Sequence, residues 1–313
     1  MAQRLGKEFG FDEKRLGDLG IIVTEIATNL YKHAKGGEVL LRKLEEDGVL
    51  GLEALSLDRG PGIAEVSKCL EDGYSTAGTA GNGLGSIKRL STVFDIYSTP
   101  QGTALVSQLW MGPRSTNRYT LEFGAVCLPY PGESLCGDGW ATSNKNGVFS
   151  IMVVDGLGHG EHAAQAADQA INVFKENGML FPQVHLQKAH GALRTTRGAA
   201  LVVLQADLKT QTISYSGIGN ISGGAVTAGT SKSFVSLNGT VGHQAQRFQE
   251  FNYEWTKGAF LILHSDGLQS KWKLDGYPGL PMRHPSLVAG TLYRDFRRER
   301  DDVTVLIVRN TSK

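Results

Sequence analysis

No apolar run in the 313 residues reaches the ~20 needed to cross a bilayer as a helix. No signal-peptide pattern opens the chain. Cysteine is scarce: Cys69, Cys127 and Cys136 fall at no metal-ligand spacing and read as free thiols in a reducing cytoplasm. An excess of charge of one sign is lacking too. Lysine and arginine total 32 against 31 aspartate and glutamate, a net charge of +1, so no global field draws the chain to nucleic acid or to a membrane surface. Neither is expected as a partner. Internal repeats and low-complexity tracts are missing, and the 40 glycines gather around a few short motifs instead. What is present is the composition of a globular cytoplasmic protein, 41% apolar and 20% charged, with length enough for two domains that each bury a core.

The chain is organised around Ile151-Met-Val-Val-Asp155-Gly156-Leu-Gly-His159-Gly160. A β-branched apolar run reads as a buried strand, and it ends on a carboxylate followed by glycines that allow a tight turn. Alone, Asp-Gly after a strand is a turn. Three further motifs change that reading: Cys136-Gly-Asp138-Gly, His264-Ser-Asp266-Gly267 and Arg300-Asp301-Asp302-Val-Thr304, each beside an apolar run. Carboxylates that converge at the ends of buried strands repel one another unless cations neutralise them. An all-oxygen donor set selects Mg²⁺ or Mn²⁺ over zinc. The residues therefore predict a two-metal carboxylate site.

The order GD, VVDGLGHG, SDG, DDVT resembles the SpoIIE-type branch of the metal-dependent serine/threonine protein phosphatases over roughly 118–310. Ser216-Gly-Ile-Gly-Asn220 and Gly239-Thr-Val-Gly242 are most similar to the small RsbX-type members. The resemblance implies a four-layer αββα sandwich with two Mg²⁺ or Mn²⁺ ions in a cleft at one end of the sheets. It implies that Asp155 bridges the ions, that the Gly156 carbonyl binds one, and that Asp266 and Asp301 hold the other. Asp138 completes the set directly or through water, and the family pattern favours Asp301 over Asp302.

The first third of the chain carries a different signature. Over 13–34, Leu16, Leu19, Ile22, Val23, Ile26, Ala27 and Leu30 form an apolar helical stripe. Beside it Glu25, Asn29 and His33 share one face at spacing i, i+4, i+8. Alone, such a trio is more often a solvated face. Two strands follow, the second ending in Asp58-Arg-Gly60-Pro-Gly62-Ile63, and a glycine-rich loop over 73–85 leads into a helix. Glycines before a helix N-terminus let backbone N–H groups approach phosphate, although such a loop can equally be a linker.

Together these pieces resemble the GHKL (Bergerat) ATP-binding fold, an α/β two-layer sandwich, over 1–111, with the wording EIATNLYKHA closest to the RsbT-like serine kinases. The resemblance implies that Asn29 holds Mg²⁺ on the ATP phosphates and that Asp58 bonds the adenine amine. Gly60 and Gly62 let the base approach, Thr103 supports the adenine side, Gly83 and Gly85 lie in the lid, and Glu25 is the general base. That branch usually opens with a strand ahead of the first helix, whereas this chain starts at the helix.

The expected chain is thus α+β with an ATP-binding domain at 1–111, a linker over 111–117 and a phosphatase domain at 118–313. Strands at 119–128 and 147–154 flank an Asp138 loop, helices cover 161–177 and 183–194, and a helix at 285–298 precedes the last strand at 303–309. The cluster Arg294–Arg300 reads as an exposed helix face, His159 and His162 as loop packing, Trp140 as a core anchor or a cleft wall. His264 is weighed as a hydrogen-bond partner beside Asp266, and His33 either aids phosphate binding or ends a solvated helix. The family analogy implies hydrolysis of phosphoserine or phosphothreonine on a STAS-type (anti-sigma-factor-antagonist-like) partner, alongside other partner-switching proteins. The first domain is expected to phosphorylate a partner, or else to sense ATP or bind a partner without catalysis.

Overall fold

The computed structural model describes residues 1–70, 83–113, 120–227, 230–256 and 258–311. The expected lid over 73–82 and most of the linker lie outside the described residues. The chain forms two compact units. One is Met1–Asn117 with Met282–Arg294, the other Arg118–Pro281 with Asp295–Lys313.

The first unit opens with helix α1 (Ala2–Glu8) and α2 (Glu13–Asn29). Asp12 caps α2 by accepting the Arg15 N–H at 2.8 Å, which satisfies one of the donors a helix start leaves open. The apolar stripe behaves as its spacing predicts: Leu19, Ile22, Ile26 and Leu30 are buried. Past Asn29 the helix widens into a π-turn over Leu30–Ala34, closed by left-handed Lys35 and by the Gly36 N–H donating back to the Leu30 carbonyl. Such a wide turn re-aims the side chains at a helix end. Strands β1 (Glu38–Glu46) and β2 (Val49–Leu57) form a hairpin whose Asp47-Gly48 turn has positive φ at both residues, as a two-residue turn requires.

Short α3 (Val66–Cys69), α4 (Gly83–Leu90), β3 (Val93–Thr99) and β4 (Gly102–Trp110) follow. The sheet order is β1-β2-β4-β3, all antiparallel. The core of α1, α2 and α4 against the sheet gathers Leu19, Ile22, Ile26, Leu52, Ala54, Ile87 and Leu105.

The second unit holds β5 (Leu121–Leu128), β6 (Asp138–Lys145), β7 (Val148–Gly156), helices α5 (Glu161–Asn177) and α6 (Pro182–Ala192), then β8 (Ala199–Asp207) and β9 (Thr212–Ile218). After these come β10 (Ser222–Thr227), β11 (Thr230–Ser233), β12 (Phe251–Glu254) and β13 (Phe260–His264). Helix α7 (Pro285–Phe296), which up to Arg294 belongs to the first unit, precedes β14 (Val303–Asn310) of the second. Two five-stranded sheets result, β11-β10-β13-β14-β5 and β12-β9-β8-β7-β6.

Alternation along β7 and β8 explains the continuous apolar runs. Ile151, Val153, Val202 and Leu204 point into the core shared with Leu261, Leu263, Leu306 and Val308 of the facing sheet. Met152, Val154, Leu201 and Val203 point the other way, against Ala166, Ala170 and Phe174 of α5 and Leu186 of α6. Both faces of these strands are buried, which is why no polar residue alternates along them.

Two local expectations need correction, and one strand was not anticipated. The stretch around Asp138 is not a loop but the start of β6, an edge strand whose polar Thr142–Lys145 half hides it from a hydrophobic-period reading. Ser222–Thr227 forms β10, a strand rich in glycine that carries little side-chain signal. Arg294 is buried rather than exposed, and its Nη1 donates to the Asp58 carbonyl at 2.9 Å within the first unit.

Candidate active sites

In the first unit, a cavity of about 590 Å³ opens between α2, the β2 end and α4. Glu25, Asn29, Asp58, Gly60, Gly62, Gly83 and Thr103 line it, with Ile26, Ile63, Ile96 and Leu105 as its apolar wall. The sequence-expected nucleotide residues thus meet around one cavity, except Gly85, which is buried inside α4 and is not part of this lining. His33 also borders the cavity while remaining exposed at the π-turn.

Asp58 is locked in place. Its Oδ1 accepts the Gly60 N–H at 2.8 Å and the Thr103 N–H at 3.1 Å, while its own N–H donates to the Thr103 carbonyl at 2.9 Å. Thr103 Oγ1 shares a 2.8 Å hydrogen bond with Ser98 Oγ, which also accepts the Ile63 N–H. The Gly62 requirement has a cause in the protein itself: with φ +75°, a Cβ there would lie 2.1 Å from the Thr99 carbonyl oxygen. At Gly83 a Cβ would stand 2.8 Å from Glu25 Oε2, so glycine lets the start of α4 close on that carboxylate.

In the second unit the hairpin register sets the carboxylates. Asp138 opens β6 directly opposite Asp155 near the end of β7, so their side chains leave the same face of the pair. The Gly156 N–H donates to the Gly137 carbonyl at 2.9 Å and closes the end of the hairpin. A Cβ at Gly156 would lie 2.2 Å from the Ala163 carbonyl oxygen, so α5 can seat on the backbone beside Asp155 only if this residue is glycine.

From the facing sheet come Asp266, after β13, and Asp301-Asp302, before β14, and these two strands are neighbours. Ser265 joins the sheets: its hydroxyl donates to Asp138 Oδ2 at 2.6 Å and accepts the Thr304 N–H at 2.9 Å. Asn220 donates to Asp266 Oδ2 at 2.7 Å. Asp302 is buried, with Oδ1 accepting the Tyr130 N–H at 2.8 Å and Oδ2 without a hydrogen-bond partner.

Electrostatics follow from this crowding. Burial pushes the Asp155 carboxyl up to about 9, aided by the charges of Asp138, Asp266, Asp301 and Asp302. Burial likewise lifts Asp138 to about 7 against the opposing hydrogen bond from Ser265, with Asp302 and Asp301 adding to the rise. Asp301 is raised by burial and then by Asp266 beside it. Such a set of mutually repelling oxygens fits a hard divalent cation, which would remove the repulsion. Among the described residues, however, no three His, Cys, Asp or Glu side chains are already arranged to hold an ion. The donor chemistry fits, while the coordination shell is not drawn together.

The remaining candidates divide. His264 does not bond Asp266: its Nδ1 faces the Ser265 carbonyl, and Trp272 donates to its Nε2 at 3.2 Å. His159 packs in its loop, stacked on Tyr130 and 2.7 Å from Glu133. Trp140 stacks on Phe123 against the core. The hydrogen bond with the neighbouring Cys127 thiol, and then burial, hold the Cys136 thiol above its usual range. Sequence reasoning missed Ser265, Asn220 as the partner of Asp266, and Tyr130. The first two sat inside motifs already singled out, whereas Tyr130 acts through its backbone and leaves no sequence signal.

Comparison with known proteins places both halves. The family model described as Stage II sporulation protein E (SpoIIE) matches residues 145–311, and that of a histidine kinase-like ATPase domain matches 1–109. The serine/threonine-protein kinase RsbT of Bacillus subtilis (strain 168) is 32% identical over 112 residues, 36% of this chain and 84% of RsbT. The phosphoserine phosphatase RsbX of the same organism is 23% identical over 139 residues, 44% of this chain and 69% of RsbX. A crystal structure of RsbX in complex with magnesium superposes with a TM-score of 0.55 at 20% identity, covering 63% of this chain and 98% of that one, a likeness of fold.

Proposed function

The chain belongs to the SpoIIE family through residues 145–311, and over a 112-residue stretch to the family of RsbT; from that membership we propose a bifunctional partner-switching enzyme. Its second domain is a metal-dependent serine/threonine phosphatase. Its first domain is an ATP-dependent kinase acting on the same kind of partner, a small STAS-type protein. The observation that carries the phosphatase half is the β6–β7 register that sets Asp138 opposite Asp155, with the charges of Asp266 and Asp301 acting on Asp155.

Asp155, the Gly156 carbonyl, Asp266, Asp301 and Asp138 are the groups that would hold the two Mg²⁺ or Mn²⁺ ions. When bound, the cations supply a water that is nucleophilic near neutral pH and neutralise charge growing on the phosphoryl oxygens. The chain's own residues prepare that site. Ser265 fixes the orientation of Asp138, Asn220 fixes Asp266, and the Tyr130 N–H keeps Asp302 turned inward, which favours Asp301 as the facing carboxylate. No cysteine nucleophile takes part.

In the first domain, Asp58 has one oxygen held by two backbone N–H groups, which leaves the other to accept the adenine amine. Asn29 would hold Mg²⁺ on the phosphates. Glu25, one helical turn before Asn29, would take the proton from the partner's serine as it attacks the γ-phosphorus.

Hydrolysis of a phosphoserine peptide should stop in excess chelator and return with Mn²⁺ or Mg²⁺; turnover that persists in chelator overturns the phosphatase half. Mg-ATP should raise the melting temperature, since a ligand selective for the native state stabilises it. Absence of any shift or binding heat overturns the nucleotide half. Should ATP bind while no partner gains phosphate, the first domain is a sensing or partner-binding module.

A further inference from the structure

The second unit brings two of the chain's three cysteines together. Cys127, at the end of β5, and Cys136, two residues before Asp138, lie nine positions apart in sequence with their sulfurs 3.8 Å apart. Cys127 Sγ also reaches the Asp138 carbonyl at 3.7 Å. Both are partly exposed free thiols. We propose that Cys127 and Cys136 form a reversible disulfide under oxidation by peroxide, and that this disulfide switches off the carboxylate site. The second half of the proposal rests on the phosphatase reading of that site; the first half does not.

The chemistry balances with hydrogen peroxide as the oxidant. One thiolate attacks the peroxide: an S–O bond forms, the O–O bond breaks, and hydroxide leaves, giving a sulfenic acid. The second sulfur then attacks the first. An S–S bond forms, the S–O bond breaks, and water departs with the thiol proton. Two thiols lose two electrons and peroxide is reduced to two waters. A dithiol reductant reverses the change by exchange.

The consequence for the site follows from what surrounds the pair. A disulfide requires the sulfurs, now 3.8 Å apart, to close to about 2.05 Å. Cys127 is held in β5 by its pairing with Thr304 of β14, so Cys136 must supply most of the movement. Its neighbour Gly137 has no slack: its carbonyl accepts the Gly156 N–H, and a Cβ there would already lie 2.6 Å from Asp302 Oδ2 and 2.7 Å from Ala163 Cβ. The pull therefore reaches Asp138, whose carboxylate depends on the 2.6 Å bond from Ser265 and on its place opposite Asp155. The loop that the disulfide would close also carries Tyr130 and Glu133, the partners of Asp302 and His159. Displacement of a reacting group by about 1 Å is enough to cost on the order of 100-fold in rate.

The test uses the full chain with and without peroxide, followed by alkylation of remaining thiols and trypsin. Both cysteines fall in one tryptic peptide, Tyr119–Lys145, because no lysine or arginine interrupts it. After oxidation that peptide should escape alkylation and weigh about 2 Da less than its reduced form, reverting with dithiothreitol. Phosphatase turnover should fall roughly tenfold or more and recover on reduction. Cys127→Ser and Cys136→Ser should each keep basal turnover and resist reversible inactivation. Peptides that gain oxygen without the ~2 Da loss, or that cross-link between molecules, overturn the disulfide. A disulfide formed with turnover unchanged overturns the switch. If the reduced protein has no turnover at all, the phosphatase reading fails, while the peptide mass still decides the disulfide.

Discussion

At the scale of single residues, the carboxylates carry the account. Asp155 is half-buried beside four other carboxyls, and its folded-state pKa of about 9 lies above its unfolded value. Between pH ~4 and its folded pKa, the native state keeps a proton that the unfolded chain has lost, so metal-free stability falls as pH rises through that window. Asp155→Asn removes the ionising group. We expect the variant, without metal, to melt higher than the parent at pH 8, to show a flatter pH dependence, and to lose nearly all turnover. A scan of melting temperature against pH for both proteins measures this; a variant that melts lower at pH 8 would contradict it. On the nucleotide side, Asp58→Ala should weaken adenine-nucleotide binding by calorimetry, because it removes the carboxylate that the Gly60 and Thr103 N–H groups hold in place. Unchanged affinity would remove Asp58 from the site. The motifs made these aspartates legible because strand-then-Asp-Gly is visible as letters. Ser265 and Asn220 were not, since serine and asparagine beside glycine read as turn residues until the two sheets face each other.

At the scale of elements, the strongly periodic pieces were legible and the polar ones were not. Helix α5, with alanines on its inner face, falls on Glu161–Asn177, where its period placed it. The edge strand β6 and glycine-rich β10 escaped because neither carries an apolar alternation. Helix α7 was legible as a helix but not in its surroundings: every residue from Pro285 to Arg294 is buried, and within the first unit it meets the β1–β2 sheet. There Glu53, fully buried on β2, accepts from Arg42, from Gln108 at 2.8 Å and from Ser286 Oγ at 2.7 Å. Burial alone would raise the Glu53 carboxyl, but Arg42, Ser286, His284 and Gln108 together outweigh it and hold the pKa below the ordinary value. Its contribution to stability is therefore present above the unfolded carboxylate pKa and lost as pH falls through the lower folded value. Glu53→Ala removes the buried carboxylate to which Arg42, Gln108 and Ser286 donate and should cost about 3 kcal/mol or more in denaturant unfolding of the first unit. A loss under ~0.5 kcal/mol, the level of an ordinary surface change, would mean that this cluster does not secure α7.

At the scale of the whole molecule, the proposed function joins in one chain a site that adds phosphate and a site that removes it. Covalent linkage raises the effective concentration of each activity around a partner held by the other. With both sites intact, ATP should be consumed only while the partner is present, so partner-dependent ADP release is expected. Equal release without partner would point to an uncoupled ATPase. Two signatures in order along the sequence were enough to read the two folds. The chemistry that joins them was not legible, because no motif records which partner a surface accepts. The measurement that bears most directly on bifunctionality is intact-mass spectrometry of a candidate STAS-type partner incubated with Mg-ATP and the Asp155→Asn chain. The account predicts that the partner gains one phosphate (about 80 Da), that Glu25→Gln in the same background abolishes the gain, and that the parent chain then removes it in a chelator-sensitive way. A partner that stays unmodified while calorimetry shows ATP bound would contradict it.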